Sequence, residues 1–433
     1  MRNALKAVGA ALAVIALCAP LILWPVDEVQ PTGLQLSAVT ATVPPTVVVN
    51  TTVSPSETTT TTEAPEPAPT TTTTTTTPTI SITVAAVGDV LTHMPIVESV
   101  RDARTVSYDF GPVFAPIAPY LAKADYALAN LETRLAGPQF GYMGYPLFNS
   151  PGELAQALRY AGIDLVATAN NHSLDMGWDG IVGTLDRLDA AGVAHVGTYR
   201  SKREKQTPFI VDIRGIRVAF LNYTASLNGL IPPEKRKDYA VNTLDPDVVA
   251  EEAMTARAWG ADVVIAILHF GNEYEREPSQ DQLDLSQNIL SRGVDVIIGS
   301  GPHVVQPIAH VVEFTSWKVS DKYVVYSLGN FVSAQRWRYS DSGLVAYVHI
   351  EKRGLRAYVT GVSYLPVYVQ RSTLEVPVRY RVLPVLPGSE PKTDALLTAG
   401  DRQRMAGVWE ELRDLLYRPD ENISPLDPAE LGL

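Results

Sequence analysis

The sequence predicts an α/β fold of two sheets packed on one another with helices outside. Between about Ile80 and Val369, apolar runs of strand length alternate with segments of helical periodicity. Some runs, Asp262–Leu268 above all, are apolar at almost every position, as strands buried on both faces are. The runs also end alike. Ile82–Val87 leads to Asp89, Tyr126–Ala129 to Asn130 and Glu132, Leu165–Ala169 to Asn170, Asn171 and His172, Val263–Leu268 to His269, and Val294–Ile298 to His303. Ligands of open α/β sheets bind beyond the carboxyl ends of the strands. Carboxylate, amide and imidazole groups gathered there suit one or two hard or borderline divalent metals.

The first eighty or so of the 433 residues are unlike the rest. Arg2 and Lys6 precede Ala7–Trp24, a run without a charged side chain, which reads as a charged n-region and an apolar h-region. The run is long enough to cross a bilayer, and Ala38–Ala41 offers a small-residue cleavage site. Residues 1–29 are therefore expected to be a signal anchor or a signal peptide. The positive flank places the chain beyond this segment on the extracytoplasmic side of a bacterial cell membrane, or outside the cell if the segment is cleaved. Cys18 is the single cysteine, so disulfides and thiolate ligands are excluded from the rest. Residues 30–79 are rich in Thr, Pro and Val, with unbroken threonine at Thr58–Thr62 and Thr70–Thr77. Such a composition cannot bury enough apolar surface to order itself. It is expected to be a disordered linker, reaching on the order of 100 Å where it is PPII-like.

The folded domain is expected over residues 80–370. Leu154, Ala157, Leu158 and Ala161 follow helical spacing, as do Ile181, Leu185 and Leu188 before Gly192. Asp245-Pro246 caps a helix that runs to Trp259, and another runs from Pro278 to Arg292 and stops at Gly293. Hairpins are expected at Phe209–Ile213 with Ile216–Leu221, at Val304–Phe314 with Tyr323–Tyr326, and at Leu344–Ile350 with Leu355–Val362. Residues 371–433 read as an appendage with an edge strand at Val376–Val385 and a helix over Thr393–Tyr417. With a net charge of −12 and no basic stripe carrying interleaved aromatics, nucleic acid is excluded as a partner. No Gly-x-Ser-x-Gly elbow or Walker A loop supports serine-hydrolase or P-loop chemistry.

Each strand end offers its own chemistry. Alternation puts Asn130 and Glu132 on one side, and a buried Glu requires a partner or a metal. In Asn170-Asn171-His172 an amide oxygen can ligate a metal while the adjacent imidazole protonates a leaving group. Glu273, four residues past His269, is expected to orient that imidazole. The loop Gly299-Ser300-Gly301-Pro302 presents His303, and Asn330, ending the run before it, is placed to contact substrate. His93 reads as a loop residue, and His195, His310 and His349 as structural ones.

Gly88-Asp89, Asn130-Leu131-Glu132, Asn170-Asn171-His172, His269-Phe270-Gly271-x-Glu273-Tyr274, Pro302-His303-Val304 and Ser327-Leu328-Gly329-Asn330-Phe331 occur in that order. Together they resemble the capsule-synthesis family CapA of poly-γ-glutamate systems, over roughly Ile80 to Tyr347. That family is similar in fold to the calcineurin-like metallophosphoesterases, which implies a two-sheet α/β sandwich. The resemblance implies Asp89, Glu132, Asn171, His269 and His303 as metal ligands and His172 as the acid. Metallophosphoesterases carry Asp-x-His on the first strand, where this chain has Leu91, and a second late histidine, where it has Ser300 and Gly301. One divalent ion (Mn, Fe, Zn or Mg) is therefore expected rather than two. The expected function is capsule or surface-polymer biosynthesis or export, as a metal-dependent hydrolase of phosphoester or polymer amide bonds. The alternative is a non-catalytic accessory that tethers or guides a polymer for a membrane synthase or export complex.

Overall fold

Strand β1, Thr79–Leu91, is apolar on both faces because each face meets a different core. Ile82, Val84 and Ala86 point into one cluster, and Ala85 and Val87 into another, as a period of two requires. The computed structural model describes residues 78–230, 238–315, 318–374, 376, 378–386 and 394–427. The expected membrane segment, and the expected linker up to residue 77, lie outside the described residues. Among the described residues no helix is long and apolar enough to cross a membrane.

The next strands are β2 (Tyr126–Leu131), β3 (Leu165–Ala167), β4 (Ala194–Val196), β5 (Ile210–Ile213), β6 (Ile216–Thr224), β7 (Val263–His269) and β8 (Val296–Ser300). After them come β9 (Ile308–Thr315), β10 (Lys318–Val325), β11 (Asn330–Ser333), β12 (Ser342–Arg353), β13 (Arg356–Arg371), β14 (Tyr380–Pro384) and β15 (Ile423–Pro425). They form a nine-stranded sheet ordered β14-β13-β12-β1-β2-β3-β4, with β11 beside β1 and β15 beside β13, and a six-stranded sheet ordered β5-β6-β7-β8-β10-β9. In the first sheet β1 to β4 run parallel, and in the second β6, β7 and β8 do. The expected hairpins are antiparallel pairs, and β14 lies at a sheet edge as its proline-flanked sequence implies.

Between the sheets, Ile82, Val84 and Leu128 pack with Phe220, Ile265, Ile267 and Ile298. Each such side chain contributes about 1.5–3 kcal/mol by leaving water. Helices Glu153–Ala161 and Gly177–Ala191 cover the outer face of the first sheet through Leu154, Leu158, Ile181 and Leu185. Helices Pro246–Ala258 and Gln280–Leu290 cover the second through Val249, Ala253, Ile289 and Leu290. Asp245 caps the first of these by accepting from the Asp247 amide. The C-terminal helix Ala399–Leu416 belongs to the core between the sheets, where it places Met405, Val408, Leu412 and Leu416.

One irregularity aims the site. The β1–β2 register slips between Val87 and Asp89, a bulge that re-aims the Asp89 side chain. There Gly88 lies against β11, and a Cβ on Gly88 would stand 1.8 Å from the Gly329 carbonyl oxygen. The Asp89 amide donates to that same oxygen at 3.0 Å. Gly88→Ala is expected to lower stability in urea by about 3 kcal/mol, because backbone must move to admit it. Gly192→Ala, at φ +69 with open space around its Cβ, is expected to cost only about 1 kcal/mol.

Candidate metal centre

Asp89 and Glu132 are both fully buried, and a buried carboxylate needs partners or a cation. Asp89 has one on each oxygen: Asn130 Nδ2 donates to Oδ1 at 2.8 Å, and His303 Nδ1 lies 2.9 Å from Oδ2. Burial pushes the Asp89 pKa up, but the His303 bond and charge more than offset it and hold the group below its ordinary value. Glu132 is worse served. Its Oε2 receives one long contact, 3.4 Å from Asn130 Nδ2, and its Oε1 is buried without a hydrogen-bond partner. Burial first, then the charges of Asp89 and Glu273, raise it well above the usual carboxylate range.

Two imidazoles face that bare oxygen. His269 Nε2 and His303 Nε2 stand 3.7 and 3.8 Å from Glu132 Oε1, too far for hydrogen bonds. On its other nitrogen, His269 Nδ1 meets Ser300 Oγ at 3.2 Å and Asn130 Nδ2 at 3.4 Å. Burial drives its pKa down to about 3, so it is neutral at physiological pH. Ligand atoms of Asp89, Glu132 and His269 all lie within 4.8 Å of one another. Asn171, next to His172, carries a second buried oxygen, Oδ1, without a partner. Two carboxylates, one of them with an orphaned oxygen, and a neutral imidazole nitrogen are the donor set of a divalent cation, so these residues fit one. Asp89, Glu132 and His269 would hold it, with His303 Nε2 facing Glu132 Oε1.

The amide cluster beneath is braced. Asn170 Nδ2 donates to Leu131 O at 2.8 Å and to Asn130 Oδ1 at 3.2 Å, while its Oδ1 accepts the His172 amide at 3.2 Å. His172 Nδ1 lies 2.8 Å from Asp175 Oδ2, which also accepts the Phe148 amide at 2.7 Å. The His172 ring packs edge-on against Phe148 at 4.7 Å. A carboxylate accepts only, so Nδ1 carries a proton and Nε2 is the atom left for chemistry.

Three participants were missed in the sequence. Asp175 was visible only as an acid three residues after a histidine. Arg134 is fully buried, its pKa lowered to about 10 by burial, and it donates to Leu131 O at 2.8 Å and to Asn170 Oδ1 at 3.4 Å. Its signal was a charged residue two positions after Glu132, just before Leu135 and Ala136. Ser300, noted only for replacing a histidine, contacts His269 Nδ1 itself.

Two expectations need correction. Glu273 does not orient His269. The chain turns away at Gly271 (φ +96) and leaves Glu273 exposed, so Ser300 and Asn130 take that place. Asn330 opens β11 rather than closing a strand, and pairs with Asp89 in register. It is fully buried; its amide donates to Gln335 Oε1 at 2.9 Å and Ser340 O at 2.8 Å and so braces a loop, while its Oδ1 has no hydrogen-bond partner. His93 sits just before helix Met94–Ser99, makes no side-chain capping bond, and packs on Phe148 at 5.1 Å. His310 and His349 are bonded as structural residues, to Asp321 and to Thr83 and Ser363.

The model of the bacterial capsule synthesis protein PGA_cap matches residues 83–335, more than half of the chain and all of this centre. The chain belongs to that family. It is 30% identical over 281 residues to the capsule biosynthesis protein CapA of Bacillus anthracis, covering 63% of this chain and 64% of that protein. The chain thus spans just under two thirds of that relative's length. It is 28% identical over 273 residues to the PGA biosynthesis protein CapA of Bacillus subtilis, covering 62% and 67%. Among solved structures it is similar to the calcineurin-like phosphoesterase YfkN of Bacillus subtilis, at 17% identity and a TM-score of 0.40, over 78% of this chain and all of that one.

Metal binding must displace the proton that burial keeps on Glu132, whereas neutral His269 has none to lose. Calorimetric titration with Mn²⁺ is therefore expected to show affinity rising with pH, by up to about tenfold per pH unit, above the ordinary carboxylate range. In Glu132→Gln the pH slope is expected to vanish and the affinity to fall.

Proposed function

We propose that this capsule-synthesis family member is a metal-dependent hydrolase acting on a phosphoester or amide bond of a surface polymer. The observation that carries the reading is the pairing of two motifs in one pocket. The orphaned Oε1 of Glu132 stands 3.7 Å from Nε2 of the neutral His269, and the buried His172–Asp175 pair lies close enough for its imidazole to act on that ring. A divalent ion held there supplies Lewis acidity and lowers the pKa of water. Asp175 holds the His172 ring with its Nδ1 proton committed, so Nε2 can pass a proton to the departing oxygen or nitrogen. Arg134 and Asn170 keep the loop that carries Asn171 and His172 against the strand ends. Phe148 walls off one side of the imidazole and excludes water from it.

The names of the relatives support a polymer substrate: two are capsule or PGA biosynthesis proteins, and one of Mycobacterium tuberculosis, 24% identical over 196 residues, is a probable polyglutamine synthesis accessory protein. Arg2, Lys6 and the uncharged run Ala7–Trp24 support a location outside a bacterial membrane, the Thr/Pro segment serving as a stalk toward a synthase or export complex. A second reading has an observation of its own. Where the metallophosphoesterase motifs carry imidazoles, this chain has Leu91 on the first strand and Ser300 and Gly301 before His303, which favours an accessory that tethers or guides a polymer.

Hydrolysis of bis(p-nitrophenyl) phosphate with added Mn²⁺ separates the two. His172→Ala is expected to lower kcat by about 10²–10⁴ and Asp175→Asn by about tenfold or more. Turnover unchanged in both variants, or no turnover with any divalent metal, would favour the accessory role.

A further inference from the structure

The edge strand β5 covers only part of β6. It pairs from Ile213, opposite Ile216, to Ile210, opposite Ala219, and the Phe209 carbonyl then accepts from the Phe220 amide at 3.0 Å. Beside this edge a cavity of about 770 Å³ lies among β4, β6, the short helix Lys202–Lys205 and helix Pro246–Ala258. Clefts of roughly 300–1,000 Å³ are the size that holds small molecules. None of the metal-centre residues lines it.

Its floor is apolar. Val196, Tyr199, Phe220 and Leu221 are buried, and Phe209 is half-buried. Phe220 stacks on Tyr126 at 5.4 Å and meets Phe209 at 6.4 Å, which fixes the rings in place. Such a surface suits an aromatic or aliphatic body.

The charged groups around the floor are sorted by element. Arg203 and Lys205 come from the short helix, and Glu251 and Glu252 from helix Pro246–Ala258. Arg200, also in the lining, is saturated by Asp186, Asp189 and Glu204 at 2.9, 2.7 and 3.0 Å. The other four have no ion-pair partner among the described residues. Glu252 is half-buried and accepts from Tyr223 Oη at 2.5 Å, and burial raises its pKa above the ordinary carboxylate value. A carboxylate in that state gains from a cation brought to it. His195, on the same wall, meets Asp189 Oδ1 through Nε2 at 3.1 Å, while its Nδ1 is buried without a hydrogen-bond partner.

A long polyanion laid here would meet Glu251 and Glu252, and a polycation Arg203 and Lys205. A small molecule with one charge of each sign on an apolar body satisfies both elements at once. We propose that this cavity binds an apolar zwitterionic peptide of about dipeptide size, its carboxylate toward Arg203 and Lys205 and its ammonium toward Glu251 and Glu252. The site is separate from the metal centre and does not depend on the reading of that centre as a hydrolase.

Calorimetric titration of the full chain with leucyl-phenylalanine, in its L,L and D,D forms, tests the site. At least one form is expected to bind. Its N-acetyl derivative, which lacks the ammonium, and its amide, which lacks the carboxylate, are each expected to bind at least about fivefold more weakly. Lys205→Ala and Glu252→Gln are each expected to lose about threefold or more, and the side-chain amide in Glu252→Gln still accepts from Tyr223, so melts match the parent. Thr255→Trp, at an exposed position of the lining, is expected to fill the cavity and abolish binding with the melt unchanged. Chelation of metal by EDTA is expected to leave the affinity as it was. Binding of neither form, equal binding of the capped derivatives, affinity unchanged in both charge variants or in Thr255→Trp, or affinity lost in EDTA overturns the site.

Discussion

A carboxylate oxygen with nothing to accept from is the constraint on which the rest of the site depends. Glu132 is fully buried, and its Oε1 has two imidazole nitrogens nearby at ion-sized rather than hydrogen-bond distances. An uncompensated buried charge costs several kcal/mol, so Glu132 either keeps a proton or faces a cation. Burial answers with the proton when no cation is present. The surroundings answer for the cation: a carboxylate held ionised at Asp89 and a neutral His269, both with ligand atoms within 4.8 Å of those of Glu132.

Asn130 joins these parts. Its single amide nitrogen reaches Asp89, Glu132 and His269, and its oxygen accepts from Asn170. Asp89 and Asn130 sit on one sheet and His269 on the other, so this residue ties the two sheets at their carboxyl ends. The sandwich core between the sheets, with Leu128 and Ile267 facing each other through the same cluster, keeps those ends in register. Stability and chemistry thus share one geometry: shifting β1 by a residue would turn Asp89 away from the pocket. The bulge at Gly88 is where the chain departs from regular pairing to aim it.

Much of this was legible in the residues. Apolar runs buried on both faces announced the sheets, and their polar ends announced the pocket, because few structural needs place Asn170, Asn171 and His172 together after a strand. The family motifs sharpened the assignment of Asp89, Glu132, His269 and His303. Other features were not legible because they depend on where the chain turns. Glu273 stood near His269 in sequence, yet the turn at Gly271 carries it to the surface. Asn330 looked like a strand terminus, yet it begins one, since β11 pairs with β1 across more than two hundred residues of chain. Asp175 and Arg134 act through contacts with distant backbone, at Phe148 and Thr168, that no local spacing reveals.

The most direct measurement of the central claim is anomalous diffraction from crystals of the protein soaked in Mn²⁺. A single peak bounded by Asp89 Oδ, Glu132 Oε1 and His269 Nε2, each at about 2.0–2.4 Å, is the expected result. A crystal that takes up manganese elsewhere while Glu132 Oε1 stays bare, or that takes up none, would contradict it.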